Sequence, residues 1–204
     1  MKDVTAIVVN WLTARRTLGA IESFKKFYPD VPLVIVDDDS NEKDKSQFTG
    51  TYNVHGYNPE VDYDPDTDKL KNIEGTTFIQ VPPHNLHPKG HGNAMDFAAK
   101  HISTRWMFMF HSDYRFLKRG VIEELMEGMD DSYCGAGDNK TRSAMTGLND
   151  VNVIYNLDLG KKYGLSFKPV IYYEDGTTIP FHVPEGVVEK PDGKAIENGH
   201  YYIG

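Results

Sequence analysis

The chain has 204 residues, with 22 basic and 30 acidic side chains, a formal net charge of −8 and one cysteine, Cys134. A chain of this length buries a sizeable core without disulfides or a structural metal, and a lone cysteine excludes a disulfide framework and a cysteine-rich zinc site. The acidic balance argues against a protein that coats nucleic acid or an anionic membrane, because both require a net basic face.

The N-terminal apolar run spans only about six residues, too few for a signal peptide or a membrane-spanning helix, so we expect a cytoplasmic protein.

Thr13 is placed to cap the first predicted helix, whose apolar face carries Phe24. In chain order, the predicted elements are a strand at Val4–Val9, a helix that ends before Pro29, a strand at Leu33–Val36, a long excursion with little regular structure at residues 41–75, a strand at Thr77–Val81, a helix from Asn93 to Ile102, a strand at Trp106–Phe110, a helix from Gly120 to Met129, and strands at Val151–Tyr155 and Val170–Tyr173.

This alternation of strands and helices predicts an α/β fold with a mostly parallel central sheet and helices on both faces. In such sheets, ligands bind beyond the carboxyl ends of the strands. Polar clusters follow each of the first four predicted strands, which indicates a site at that edge. The chain shows no repeat and no linker, so we expect one domain over residues 1–204.

Two of these clusters carry carboxylates. The run Asp37-Asp38-Asp39-Ser40 places three acidic side chains together, which requires a hydrogen-bonded ligand, a cation or full solvation; the alternative is a solvated turn that caps the next helix. In an extended segment, the side chains of His111 and Asp113 point the same way and can share a metal ion. Imidazole with carboxylate suits Mn²⁺ better than Mg²⁺, and the alternative is a strand-end turn with Asp113 capping a helix.

The segment of residues 84–93 contains three histidines and Lys89 and leads into a predicted helix N-terminus, where backbone N–H groups favour anions. Lys89 is a candidate phosphate contact, and the histidines are either metal ligands or loop side chains near a polyanionic ligand. The acidic residues from Asp62 to Asp68 resemble a calcium loop, but the sixth position is not glycine and the twelfth is not glutamate. We interpret them as a solvated acidic loop.

Further along the chain, Glu174 and Asp175 follow an apolar run and are candidates for a general base. His182 is a candidate third metal ligand. The alternative for the Glu-Asp-Gly sequence is a turn between two strands.

In this order, the runs VTAIVVNW, LVIVDDDSNE and WMFMFHSDYRFLKRGVIEEL resemble the nucleotide-diphosphosugar glycosyltransferases of the GT-A fold, the family-2 type, over about residues 4–130. The resemblance implies that Asn10 and Trp11 border the base of the donor nucleotide. It implies that Asp38 accepts from the base N3–H and that Asp37 lies near the base or the ribose. It also matches Asp113 to the final, metal-binding Asp of the family's Asp-x-Asp motif.

The resemblance departs from the family at one position, since His111 stands where the first Asp of that motif is usual. The expected function is a glycosyltransferase, inverting, that uses Mn²⁺ or Mg²⁺ and moves a sugar from a nucleotide-diphosphate sugar, first of all a UDP-sugar, to an acceptor hydroxyl. Residues 1–130 are the expected nucleotide-sugar half and residues 131–204 the acceptor half. On this reading Glu174 or Asp175 is the base.

Two other functions remain open. One is a binding domain of the same fold that has lost catalysis, which the histidine at position 111 favours. The other is a sugar-phosphate nucleotidyltransferase, which typically has a glycine-rich loop with Lys or Arg after the first strand. This chain has Asn10-Trp11-Leu12 at that place.

Overall fold

The computed structural model describes residues 3–40, 59–83, 91–130, 132, 135–137, 152–164 and 166–167, together with the backbone of three further strands at 170–173, 178–180 and 195–199. None of the helices in these ranges has the length and apolar character needed to cross a membrane.

A mostly parallel six-stranded sheet forms the centre of the described structure. Its strands are β1 (Val4–Asn10), β2 (Leu33–Asp37), β3 (Thr76–Gln80), β4 (Trp106–Phe110), β5 (Gly135–Gly137) and β6 (Asn152–Asn156), in the spatial order β3-β2-β1-β4-β6-β5. Strands β1 to β4 are parallel, and β6 runs antiparallel to both β4 and β5. The predicted α/β class is therefore confirmed. Because β1 to β4 are parallel, their last residues meet at one edge of the sheet, which we call the carboxyl edge.

The helices are α1 (Ala14–Phe27), α2 (Pro59–Asp62), α3 (Asp68–Lys71), α4 (His91–Ala99), α5 (Val121–Met126) and α6 (Leu157–Tyr163). A separate antiparallel sheet has the order β8-β7-β9, with β7 at Val170–Tyr173, β8 at Thr178–Pro180 and β9 at Ala195–Gly199. The predicted strands agree with the structure to within one residue at each end. The prediction of little regular structure over residues 41–75 is wrong for the described part of that range, which contains α2 and α3.

Side chains alternate between the two faces of the sheet, as the strand period of two requires. Along β1, Ala6 and Val8 pack with α1 and α5, whereas Ile7 and Val9 pack with α4. The prediction of helices on both faces is thus confirmed. Phe24 of α1 is fully buried in the core between the sheet and helices α1 and α5. Burial of such a side chain stabilises the fold by roughly 1.5–3 kcal/mol.

The N-termini of α1 and α5 both lack a capping hydrogen bond from the side chain of their own N-cap residue. Thr13 holds the N-cap position of α1, but its side chain makes no capping hydrogen bond. The N-cap of α5 is Gly120, which has no side chain. Instead, the hydroxyl of Tyr28 accepts hydrogen bonds from the N–H groups of Gly120 (2.8 Å) and Ile122 (3.4 Å) and donates to Glu123 (3.0 Å). A tyrosine at the end of α1 therefore caps α5.

Replacing Tyr28 by Phe keeps the buried ring and removes this cap. We expect the free energy of unfolding to fall by about 1–2 kcal/mol, because two backbone N–H groups lose their acceptor and the Glu123 carboxylate, which keeps Arg119, loses one donor. Urea denaturation followed by circular dichroism measures the change. The matched control is Tyr163→Phe, because Tyr163 is 61% exposed and its hydroxyl should matter by less than about 0.5 kcal/mol. Equal stability of the two variants would contradict the capping role.

Candidate functional site

A network of buried polar side chains joins the ends of β1 and β2 at the carboxyl edge. The side chain of Asn10 donates to Asp37 Oδ1 (2.8 Å) and to Ser40 Oγ (3.3 Å), and its own oxygen accepts from the hydroxyl of Thr17 on α1 (2.7 Å). The backbone N–H of Ser40 donates to Asp37 Oδ2 (3.1 Å). Every oxygen of the Asp37 carboxylate therefore has a donor, although the side chain is completely buried.

Burial raises the pKa of Asp37, and the neighbouring Asp39 carboxylate adds to that shift, while hydrogen bonds from Ser40 and Asn10 oppose it. Asp38 is also buried, and its backbone N–H donates to the carbonyl of Asn10 (2.8 Å). The alternative of a solvated turn is thus wrong for Asp37 and Asp38. Asp39 has a φ of 54°, a left-handed conformation that aspartate adopts more readily than most residues with a β-carbon.

The loop between β1 and α1 has a second left-handed residue. Leu12 has a φ of 56° and is fully buried. Its N–H donates to Ser40 Oγ (2.8 Å) and its carbonyl accepts from the N–H of Asp64 (2.6 Å). Trp11, only 8% exposed, packs with Leu12 and with the partly buried Tyr63. The loop conformation is therefore stabilised by Ser40 on one side and by Asp64 on the other.

The acidic residues after α2 differ from the expected solvated loop. Asp62 and Asp64 are both buried. Asp62 forms an ion pair with Arg16 of α1 (2.7 Å), and Asp64 forms one with Lys69 (2.9 Å). The interpretation as a solvated loop is wrong for these two residues, because burial and cationic partners replace water. The sequence analysis did not identify Arg16 and Lys69 as partners of these aspartates. The alternation Asp62-x-Asp64 was the one feature of the sequence that indicated a common orientation of the two carboxylates.

After β4 the chain turns rather than continuing extended. The N–H of Tyr114 donates to the carbonyl of His111 (3.0 Å), so the premise that an extended segment aligns His111 and Asp113 is wrong. Asp113 is exposed, and it does not cap α5, which begins eight residues later at Val121. Both candidate ligands still belong to one tight turn at the carboxyl edge.

A second histidine reaches this turn from α4. The rings of His91 and His111 lie with their centroids 5.6 Å apart and their planes at 69°. Imidazole and carboxylate donors together suit Mn²⁺ and other transition metals, so the chemistry of this turn fits such an ion. Across the described part of the chain, however, no three His, Cys, Asp or Glu side chains are grouped as a complete metal-binding set.

Four of the predicted site residues lie outside the described residues: the phosphate contact Lys89, the base candidates Glu174 and Asp175, and the ligand candidate His182. Their roles stay predictions. Of the others, the structure brings Asn10, Asp37 and Asp38 into one cluster, with Trp11 adjacent.

The sequence and the structure were each compared with known proteins. No family model and no curated protein sequence matches the chain. Among solved structures, it is similar to the mannosyltransferase PcManGT from Pyrobaculum calidifontis in complex with GDP-Man and Mn²⁺. The TM-score is 0.53 and the sequence identity 14%, and the match covers 79% of this chain and 46% of that one.

The chain has the GT-A fold. This follows from the six-stranded, mostly parallel sheet together with the likeness to that transferase. Weaker matches are S. aureus TarS 1-349 in complex with UDP-GlcNAc (TM-score 0.49, 14% identity, 80% of this chain and 48% of that one) and a cytidylyltransferase from Leptospira borgpetersenii (0.47, 12%, 80% and 64%). The chain spans about half the length of the mannosyltransferase and of TarS, and at this sequence identity the likeness concerns the fold alone.

Replacing Asn10 by Leu tests the network around Asp37. We expect the free energy of unfolding to fall by about 2–4 kcal/mol at pH 7, because Asp37 loses a donor and Thr17 loses the shorter of its two hydrogen bonds. Losing the donor raises the pKa of Asp37 further. Between the ordinary pKa of aspartate and the raised pKa of Asp37, the folded variant binds more protons than the unfolded variant. The stability of the variant therefore falls as the pH rises through this range. The loss of stability relative to the wild type should thus be smaller at pH 4 than at pH 7.

Urea denaturation of wild type and variant at the two pH values measures this difference. Thr17→Val is the control, because it removes the hydrogen bond to Asn10 without a direct contact to Asp37, and its effect should be the same at both pH values. A loss for Asn10→Leu that is equal or larger at pH 4 would show that Asn10 does not stabilise the ionised carboxylate.

Proposed function

We propose that this protein is a glycosyltransferase that moves a sugar from a nucleotide-diphosphate sugar to an acceptor hydroxyl with the help of Mn²⁺ or Mg²⁺. The observation that carries the proposal is the buried cluster of Asn10, Asp37 and Asp38 at the carboxyl edge of a GT-A fold. Ligands of open α/β sheets bind at that edge. The similar mannosyltransferase structure holds GDP-Man and Mn²⁺.

In this proposal Asp38 accepts a hydrogen bond from the nucleotide base, and a UDP-sugar is the first donor to test. Support comes from its fixed backbone, which continues the ladder between β1 and β2 through the hydrogen bond to Asn10. The side chain of Asn10 is fully buried and engaged with Asp37, Ser40 and Thr17. We therefore assign Asn10 a positioning role, with Asp37 beside it and Trp11 bordering the base.

The turn of His111 and Asp113 is the proposed place for the metal, with His182 as a further ligand. A bound divalent ion supplies neutralisation of the diphosphate leaving group, which a chain with a formal charge of −8 otherwise repels. The protein's part is to hold the turn rigidly after β4, the strand next to β1. Lys89, two residues before α4 in the sequence, is the proposed phosphate contact.

On the acceptor side, Glu174 or Asp175 is the proposed general base, which takes the proton from the acceptor hydroxyl as its oxygen attacks the anomeric carbon. Attack from the side opposite the leaving diphosphate inverts that carbon. Residues 131–204 form the proposed acceptor half of a single domain. The family-2 type and a cytoplasmic location belong to the same proposal.

One observation favours a second function, a nucleotide-sugar-binding domain without catalysis. His111 replaces the first Asp of the expected motif, and Asp113 is exposed. Binding of nucleotide sugars without transfer to any acceptor would support this alternative.

Calorimetry with UDP-, GDP- and CDP-sugars in the presence of Mn²⁺ tests the proposal. We expect one of them to bind and Asp38→Asn to lower its affinity about 10- to 100-fold, since a hydrogen bond to a charged group is worth about 1.5–3 kcal/mol. The matched control is Asp30→Asn, which makes the same chemical change at an exposed residue before β2, away from the carboxyl edge.

Replacement of Mn²⁺ by EDTA should lower the affinity as well, because the diphosphate charge is then left uncompensated. No heat with any nucleotide sugar, or equal affinities of the Asp38 and Asp30 variants, would contradict the proposed nucleotide site.

A further inference from the structure

We propose that the segment of residues 62–69 holds the nucleotide site in its binding conformation, and that Arg16 and Asp62 are positioning residues for nucleotide binding. The inference rests on the proposed function. It concerns the acidic segment between the Asp37–Ser40 run and β3, to which the proposed function assigns no role.

The segment is joined to the loop after β1 by its backbone. The N–H of Asp64 donates to the carbonyl of Leu12 (2.6 Å), and the carbonyl of Asp64 accepts from the N–H of Ala14 (2.9 Å). Asp64 and Thr13 thereby form an isolated parallel bridge. The segment thus pairs with the loop at the point where β1 has ended and α1 begins.

This pairing maintains an unfavourable conformation. Leu12 is left-handed, which a residue with a β-carbon adopts only when its surroundings impose it. Ser40 Oγ binds the N–H of Leu12, and Asp64 binds its carbonyl. Removing the hydrogen bond on the Asp64 side leaves Leu12 free to relax toward an ordinary conformation, and Trp11 is its direct neighbour.

An ion pair joins the segment to helix α1. The side chain of Asp62 is only 7% exposed and bonds Arg16 on α1 at 2.7 Å. Asp64 and Asp66 pair with Lys69, and Asp68 pairs with Lys71, so these ion pairs are local to the segment and to α3. Arg16 is therefore the cation that ties the N-terminal end of the segment to a helix, while the buried Leu70 anchors its other end in the core. A buried carboxylate that loses its cation is driven toward water.

The effect reaches the nucleotide site through aromatic packing. Tyr63, between the two buried aspartates, packs on Trp11 and Leu12. Trp11 follows Asn10, whose carbonyl binds the N–H of Asp38. When Asp62 moves outward, Tyr63 leaves Trp11, and the loop that carries Asn10 and Trp11 loses its support.

Acrylamide quenching of tryptophan fluorescence measures the first step. Arg16→Gln should raise the quenching constant of Trp11 at least about twofold, because a residue that is 8% exposed becomes accessible. Trp11→Phe in each background assigns the signal, since Trp106 is the other tryptophan. Arg15→Gln is the matched control: the same helix loses the same charge at an exposed position. Arg16→Lys should restore most of the protection.

Calorimetry with UDP and Mn²⁺ measures the second step. Arg16→Gln should lower the affinity about 3- to 30-fold relative to Arg15→Gln, the range of a coupling carried by packed side chains. Equal quenching or equal UDP affinity of these two variants would overturn the inference. If the wild type binds no UDP, GDP or CDP, the proposed function itself is contradicted. If the wild type binds one of them and the Arg16 and Arg15 variants bind it equally, only this inference is contradicted.

Discussion

The burial of the Asp37 carboxylate at the end of β2 is the constraint on which the carboxyl edge depends. A carboxylate removed from water requires a donor at each oxygen, and Asn10 and the backbone of Ser40 supply them. The same donors have further partners, because Thr17 fixes Asn10 and Ser40 Oγ binds Leu12. One buried carboxyl group thus connects β1, β2 and α1 and orders the loops that follow the strands.

Two left-handed residues lie in these loops, Leu12 after β1 and Asp39 after β2. The conformation is unfavourable for Leu12, whereas aspartate tolerates it better, and both residues lie beside residues with a proposed role in nucleotide binding. Strain of this kind persists only where surrounding contacts impose it, and it concentrates at functional sites. Here the hydrogen bonds of Ser40 and Asp64 impose the conformation of Leu12.

The strands β1, β2 and β4 could be predicted because each is a largely apolar run, and the parallel class of the sheet followed from the alternation of strands and helices. Parallel strands end at one edge of the sheet. That geometry also predicts that Asn10 and Asp37 lie close together. The pairing of Arg16 with Asp62 could not be predicted, since the two residues are 46 positions apart and meet only through tertiary packing. The turn at His111 was missed because β4 gives no signal of where its extended conformation ends. Nor does the sequence indicate that His91 approaches that turn, because the contact depends on how α4 packs on the sheet.

The central claim is that the carboxyl edge binds a nucleotide diphosphate through Asp38 and the turn after β4. A crystal structure of the protein soaked with UDP and Mn²⁺ tests it most directly. The account predicts the uracil ring against Asp38, and the metal beside His111 and Asp113 in contact with the diphosphate. Nucleotide density elsewhere on the molecule, or a carboxyl edge that stays empty at a saturating UDP concentration, would contradict it.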